Sequence, residues 1–408
     1  MKTKGSMLGG VLLIGGTCIG AGMLGLPVMT AAAGFYPTMG AFLFVWFFMT
    51  LSAFAYLEVS MRFSGDVNLI TMVDTTLGSV AKWSAWLIYV LFLYALMAAY
   101  TAGGTAIFSN ILNLHSEFNL HPVMISLLFI IPFATIVYLG TAWVDKVNRV
   151  LMFGFIATFL TLCTTFISGT KDNVSHFNAV GDPKYLLYTL PFLVTCFGYH
   201  TLIPTLKTYL NGGLKKLKIT ILLGGLSPLI VYAAWELIIL YLIPTWGDGG
   251  LVSILHHNNS NPAEAMVKIL SVNNQAIRII ISWFSYFALT SSFIGVGLGM
   301  RDFFSDGLHI RKTKKGRLLL ASLTFGPPFI YAMLYPQGFL FALKYAGICA
   351  AILLIIFPSV MAWCARFEKI PGRYNMWGGK PLLFLTILFG LFIVFADVLQ
   401  RMNLLPIP

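Results

Sequence analysis

Two short stretches combine residue types whose backbone groups can do chemistry inside otherwise apolar segments. The first is Thr17-Cys18-Ile19-Gly20-Ala21-Gly22, and the second is Cys196-Phe197-Gly198-Tyr199-His200. Gly15, Gly16, Gly20 and Gly22 crowd the first, and each glycine in a helix interior costs about 1 kcal/mol relative to alanine. Each stretch is followed within a few residues by a proline, Pro27 or Pro204, just after a Leu or Ile. A broken helix inside a bilayer bares N–H and C=O groups that must find polar partners in protein or in a water-filled cavity. The chemistry this offers is the holding of a small charged solute. N–H groups at the start of a half-helix suit an anion such as a carboxylate, which assigns that role to Ile19, Gly20, Ala21 and Gly22, with the Thr17 hydroxyl nearby. Carbonyls at the end of the preceding half-helix, and those around Thr195–Phe197, suit an ammonium. The competing reading is that these small residues only let helices pack closely.

Other residues could complete such a site. Tyr94, Met97 and Tyr100 lie mid-segment, though not on one narrow stripe, and Phe197 and Tyr199 flank the second break. They could line the apolar cavity that an aromatic side chain needs, or they could be ordinary packing. His200 is the one histidine away from the ends of an apolar segment. It could sense protons, bond a substrate, or satisfy a freed carbonyl. Glu236 lies deep in its segment without an obvious local partner and is a candidate proton carrier. Thr290, Ser291 and Ser292 offer hydroxyls that could help hold sodium or link helices. Glu58 and Arg62 have the i,i+4 spacing of a simple ion pair. Lys344 is expected to snorkel toward an interface, and Asp397 sits close to the end of the last segment.

These residues are positioned by a chain that is 58% hydrophobic and 10% charged over 408 residues, far from the roughly 25% charge of soluble domains. Apolar runs predict eleven membrane helices, near 8–34, 38–62, 83–112, 121–142, 150–169, 185–210, 219–243, 276–300, 317–335, 338–364 and 381–401. With the N terminus in the cytoplasm, twenty basic residues fall in inner segments and five in outer ones, as the positive-inside rule requires. The C terminus is then outside. The formal charge of +12 is thereby a topology signal, and nucleic-acid binding is not expected. The first 33 residues resemble a cleavable leader, but removing them would upset the charge count. The five cysteines form no metal-type CxxC pair, so no cofactor or metal centre is expected beyond a coupling ion. An amphipathic connector at 64–80, carrying Asp66 and Asp74, and an outer loop at 246–274, with short helices at 251–256 and 263–270, complete the plan. The two interrupted segments open two five-helix blocks of opposite topology. Inverted-repeat transporters are built this way, with the site between the broken helices.

The stretches GTCIGAGMLGLP at 16–27, AAGFYP at 32–37, VDKVNRVL at 144–151, FGYHTLIPTLKTYL at 197–210 and SSFIGVGLGMRDFFSDGL at 291–308 resemble the hydroxy/aromatic amino acid permeases of the amino acid–polyamine–organocation superfamily. That resemblance implies an all-α, leucine-transporter-type fold. Residues 8–170 and 185–364 would be inverted repeats and 381–401 an extra helix, all within one transport domain in a bacterial cytoplasmic membrane. It also implies import of an aromatic amino acid, tyrosine first with tryptophan or another neutral amino acid as the alternative, driven by an ion gradient and usually by protons. In some proton-coupled relatives a lysine on the fifth helix takes the place of sodium. Residues 150–156 contain no lysine, so sodium coupling through Thr290, Ser291 and Ser292 stays open. A passive channel or a membrane-embedded enzyme are the rival classes, and no intramembrane cluster of Asp, His and Glu points to the latter.

Overall fold

Inside a bilayer every backbone polar group needs a protein partner, and helices supply one within a single segment. The computed structural model describes residues 6–63, 67–112, 120–169, 177–247, 249–256, 275–311, 313–336, 338–368, 371–402 and 404–406, and these contain helices and no strand. Ten helical runs among them are long and apolar enough to cross a membrane, with Pro183–Tyr209 and Phe339–Phe367 each counted as one despite their irregular turns.

The chain opens with two short helices, α1 (Met7–Cys18) and α2 (Ala21–Thr30), bent by 54° at their junction. The pair passes the same length and apolarity test only when taken together. Ser6 caps α1 by accepting the Gly9 N–H at 2.9 Å. Gly34, with φ of +81°, turns the chain into α3 (Phe35–Ser60), a left-handed conformation for which glycine has no Cβ penalty. The connector predicted at 64–80 contains α4 (Leu69–Leu77), capped by Asn68 and stopped by Gly78 at φ +83°. Asp74 pairs there with Lys82 at 2.8 Å, and Asp66 lies outside the described residues.

Three long helices follow: α5 (Ser79–Leu112), α6 (Pro122–Leu139) and α7 (Thr141–Gly169). The second interrupted segment divides into α8 (Leu186–Cys196), a 3₁₀ turn at His200–Leu202 and α9 (Ile203–Tyr209). Then come α10 (Leu214–Leu242) and α11 (Leu251–His256), the latter in the loop where the sequence placed it. The second short helix expected in that loop, 263–270, lies outside the described residues. The chain closes with α12 (Gln275–Gly307), α13 (Lys314–Leu334), α14 (Phe339–Ala350), α15 (Phe357–Phe367) and α16 (Gly379–Arg401). A π-helical stretch at Ala351–Ile356 joins α14 to α15, and the Ser52 hydroxyl of α3 donates to the Leu354 carbonyl within it.

Two contacts position the site. Along α1 and α10 small residues interlock: a Cβ on Gly224 would meet Ile14 at 2.7 Å, and one on Gly15 would meet Ser227 Oγ at 2.7 Å. Close approach through glycines is the usual packing of membrane helices, and it brings the next turns of α10 alongside the end of α1. At the basic end, Lys207 of α9 donates to the carbonyls of Ser60 and Phe63 at 2.8 and 2.6 Å. A lysine there complements the negative end of the α3 dipole.

Candidate functional site

The α1–α2 break is a two-residue interruption. Ile19 is extended at φ −75° and ψ 94°, its N–H closing the last bond of α1 to Gly15 O at 2.8 Å. Gly20 follows with φ −155° and ψ −145°, and α2 begins at Ala21. The first N–H groups of any helix have no acceptor within it, so Ala21 and Gly22 stand where an anion site needs donors. The glycines also serve packing. A Cβ on Gly20 would collide with Ser292 of α12, and one on Gly22 would come within 2.8 Å of Cys196 Sγ. The two predicted breaks therefore touch each other, with Gly22 against Cys196.

The second break runs through Phe197, Gly198 and Tyr199 before the 3₁₀ turn. Phe197 packs edge-on to Tyr232 of α10, at 5.3 Å between ring centroids, and to Phe42 of α3 at 6.5 Å. Tyr232 is fully buried. Its hydroxyl lies 2.5 Å from the Cys18 carbonyl and 2.9 Å from the Cys196 carbonyl, the last residues of α1 and α8. The sequence reading did not single out Tyr232. Its signal was the i,i+4 spacing to Glu236, which puts both on one face of α10.

Several predicted residues gather around this point. Cys18, Cys196 and Phe197 are buried there with Tyr100 close to both cysteines, whereas the buried Met97 reaches the Gly297 position of α12. Thr17 turns its hydroxyl back to Leu13 O at 2.8 Å. Tyr94 is placed elsewhere, since its hydroxyl donates to Leu323 O of α13 at 2.8 Å. Of the three candidate sodium hydroxyls, Thr290 and Ser291 donate to carbonyls of their own helix, Tyr286 O at 2.6 Å and Ala288 O at 3.0 Å. Ser292 instead faces Gly20, and its Oγ is buried without a hydrogen-bond partner among the described residues.

Glu236 is fully buried one turn beyond Tyr232. Its Oε1 lies 2.5 Å from Thr30 Oγ1 at the end of α2, and its Oε2 is unpartnered among the described residues. The same Thr30 hydroxyl lies 2.7 Å from Leu26 O. A threonine hydroxyl carries one hydrogen, so it cannot donate to both oxygens. If it donates to Leu26 O, the contact with Glu236 needs a hydrogen from the carboxyl itself. His200 is buried against Tyr199, at 5.1 Å between centroids, and is bordered by the Met49 backbone of α3. Neither ring nitrogen has a hydrogen bond of ordinary geometry among the described residues. His200 therefore lies against α3 at the second break.

Glu58 is more than half of a simple helical pair. Besides Arg62 at 2.9 Å it receives both guanidinium arms of Arg366, at 2.7 and 2.5 Å, and the Met376 N–H at 2.7 Å. Arg366 is 308 positions away, beyond the reach of helical spacing. Nearby Tyr374 sits under Lys218, 4.2 Å from its ring centroid, and burial together with the Glu58 charge pushes its phenol up to about 12. A crevice of about 340 Å³ lies beside them between Trp46, Phe54, Leu222 and Trp377, away from the first break. Lys344 rests over the Tyr188 ring at 4.1 Å and bonds its hydroxyl. Asp397 pairs with Arg401 at 2.5 Å.

A polytopic helical bundle whose apolar helices break against one another at buried, polar backbone is the architecture of a membrane carrier. The chain belongs to the tryptophan/tyrosine permease family, whose model matches residues 3–397. It is a transport protein and not an enzyme. It is 32% identical to tyrosine-specific transport system 1 of Haemophilus influenzae, over 98% of each chain. It is 33% identical to a tryptophan-specific transport protein of Shigella flexneri, over 100% of this chain and 98% of that protein. Against the low affinity tryptophan permease of Escherichia coli K12 the identity is 28%, over 99% and 98%.

Proposed function

We propose that this protein is a secondary active importer of an aromatic amino acid, tyrosine first, that works by alternating access around the meeting point of its two broken helices. The observation that carries the reading is the contact of the two breaks, with Gly22 against Cys196 and Tyr232 between the Cys18 and Cys196 carbonyls. In this reading α1 and α2 form one bent span, which brings the spans to eleven. Residues 8–170 and 185–364 are inverted repeats, and 381–401 is the extra helix. The N–H groups at Gly20–Gly22 receive the substrate carboxylate. Tyr100 and Phe197 border the aromatic ring. The basic end faces the cytoplasm, as the positive-inside rule requires.

Protons are the favoured coupling ion, with Glu236 as carrier. A protonated Glu236 carboxyl can donate to Thr30 while Thr30 donates to Leu26 O, and the contact links the end of α2 to α10. Sodium is the second reading, favoured by the Ser292 hydroxyl, which faces Gly20 and has no hydrogen-bond partner among the described residues. Uptake of labelled tyrosine and tryptophan into proteoliposomes, with internal pH recorded in the presence and absence of sodium, tests substrate and ion together. Saturable tyrosine uptake accompanied by acidification of the lumen is the expected result. Uptake that fails to saturate points to a channel, and no uptake under either gradient overturns the proposal.

A further inference from the structure

The C-terminal ends of α1 and α8 converge on a single point. Each helix end carries roughly half a negative charge on its unsatisfied carbonyls. Half-helix C-terminal ends and unwound carbonyls are where secondary transporters hold coupling cations. Here the point is filled by a neutral side chain. The Tyr232 oxygen lies 2.5 Å from Cys18 O and 2.9 Å from Cys196 O. Packing fixes it there, with Phe42 and Phe197 edge-on to its ring at 6.3 and 5.3 Å.

The hydrogen count is informative. A phenol has one hydrogen and can donate to one carbonyl at a time. Two carbonyl ends and one hydroxyl make a site with more acceptors than donors. A small hard cation, which takes several oxygen ligands at once, would satisfy both ends together.

We infer that Tyr232 is a built-in occupant of a cation position, its hydroxyl standing where a monovalent ion would otherwise bridge α1 and α8. The inference rests on reading the two breaks as the transport site. It means that the half-helices are joined at this point without a dissociable ion, so any ion that drives transport binds elsewhere in the molecule. It also means that shortening the side chain uncovers a cation site.

The test compares the wild-type protein, Tyr232→Asn and Tyr232→Phe, purified in sodium chloride or in matched choline chloride. Thermal unfolding and equilibrium binding of tyrosine and tryptophan are measured for each. Asparagine makes room and offers an oxygen ligand. Phenylalanine keeps the ring, removes the bridging hydroxyl and leaves no room for an ion. The expected result for Tyr232→Asn is a sodium-dependent rise in unfolding temperature and a sodium-dependent gain in affinity of about tenfold beyond any wild-type response, the worth of one charge-assisted contact. Tyr232→Phe should bind about five- to tenfold more weakly, the worth of one net hydrogen bond, with no rescue by sodium. A Tyr232→Asn sodium response no larger than that of wild type overturns the inference, as does undiminished affinity in Tyr232→Phe. Wild-type protein that binds neither amino acid in either salt overturns the transport reading instead.

Discussion

At the basic end Glu58 is held by two guanidinium groups and an amide N–H, whereas at the two breaks α1 and α8 share one phenolic hydrogen. Both regions are buried and both join segments distant in the chain, yet their energetics differ. A buried ion pair is costly to break, because losing one partner strands a charge at about 3–5 kcal/mol. A neutral hydrogen bond contributes about 1 kcal/mol net and exchanges readily for another. The basic end is accordingly stiff, and it ties α3 to α15 and to the segment before α16. The meeting point of the breaks is held by hydrogen bonds that can be exchanged at modest cost. A carrier needs that division, with a frame that holds while the centre rearranges.

The largest effect should come from the frame. Glu58→Ala leaves Arg366 and Arg62 without their carboxylate and should lower stability by about 3–5 kcal/mol. Urea or thermal unfolding in detergent would measure it, and a loss under 1 kcal/mol would erase the contrast. Next is Gly22→Val, which drives methyl groups into Cys196 and should cost about 1–3 kcal/mol by overpacking, together with substrate binding. The milder Gly22→Ala should recover at least half of its lost binding when combined with Cys196→Ala. No recovery in that double variant means the breaks do not meet where Gly22 and Cys196 place them.

Glu236→Gln keeps the shape and removes the titratable proton. Stability should change by no more than about 1 kcal/mol, while uptake should lose its response to an imposed pH gradient and exchange of internal for external substrate persists. Retained acidification with uptake would move the proton elsewhere. His200→Gln should have the smallest effect, an altered pH profile of uptake with affinity within about threefold, since the imidazole is packed against α3. An unchanged profile assigns His200 to packing alone.

Much of this was legible in the residues. Glycine crowding at 15–22 and the Gly-Tyr-His stretch at 198–200 marked both breaks, because helix interruption is a local property of backbone and side-chain size. The amphipathic connector at 64–80 and the loop helix at 251–256 were readable from their local residue pattern as well. The function of individual glycines was not. Gly20 and Gly22 looked like donors freed for a ligand, but the structure also shows the side chains of Ser292 and Cys196 in the space their missing Cβ atoms leave. Glu58 looked like a helical pair with Arg62 until Arg366 arrived from 308 positions away. Tyr94 and Tyr100 share a helix and a chemistry, and only packing separates the one bonded to α13 from the one beside the breaks.

The sequence by itself therefore determined that this is a polytopic helical membrane protein, where two of its helices fail, and which family of permeases it belongs to. Those properties follow from apolar length, glycine placement and local motif, none of which depends on distant residues. Tertiary structure alone decided that the two failures touch, that Tyr232 stands between their carbonyl ends, and that Ser292 faces the first break. Such facts depend on which side chain a distant helix brings within about 3 Å, the range over which a hydrogen bond has any strength. No spacing rule along one helix encodes that.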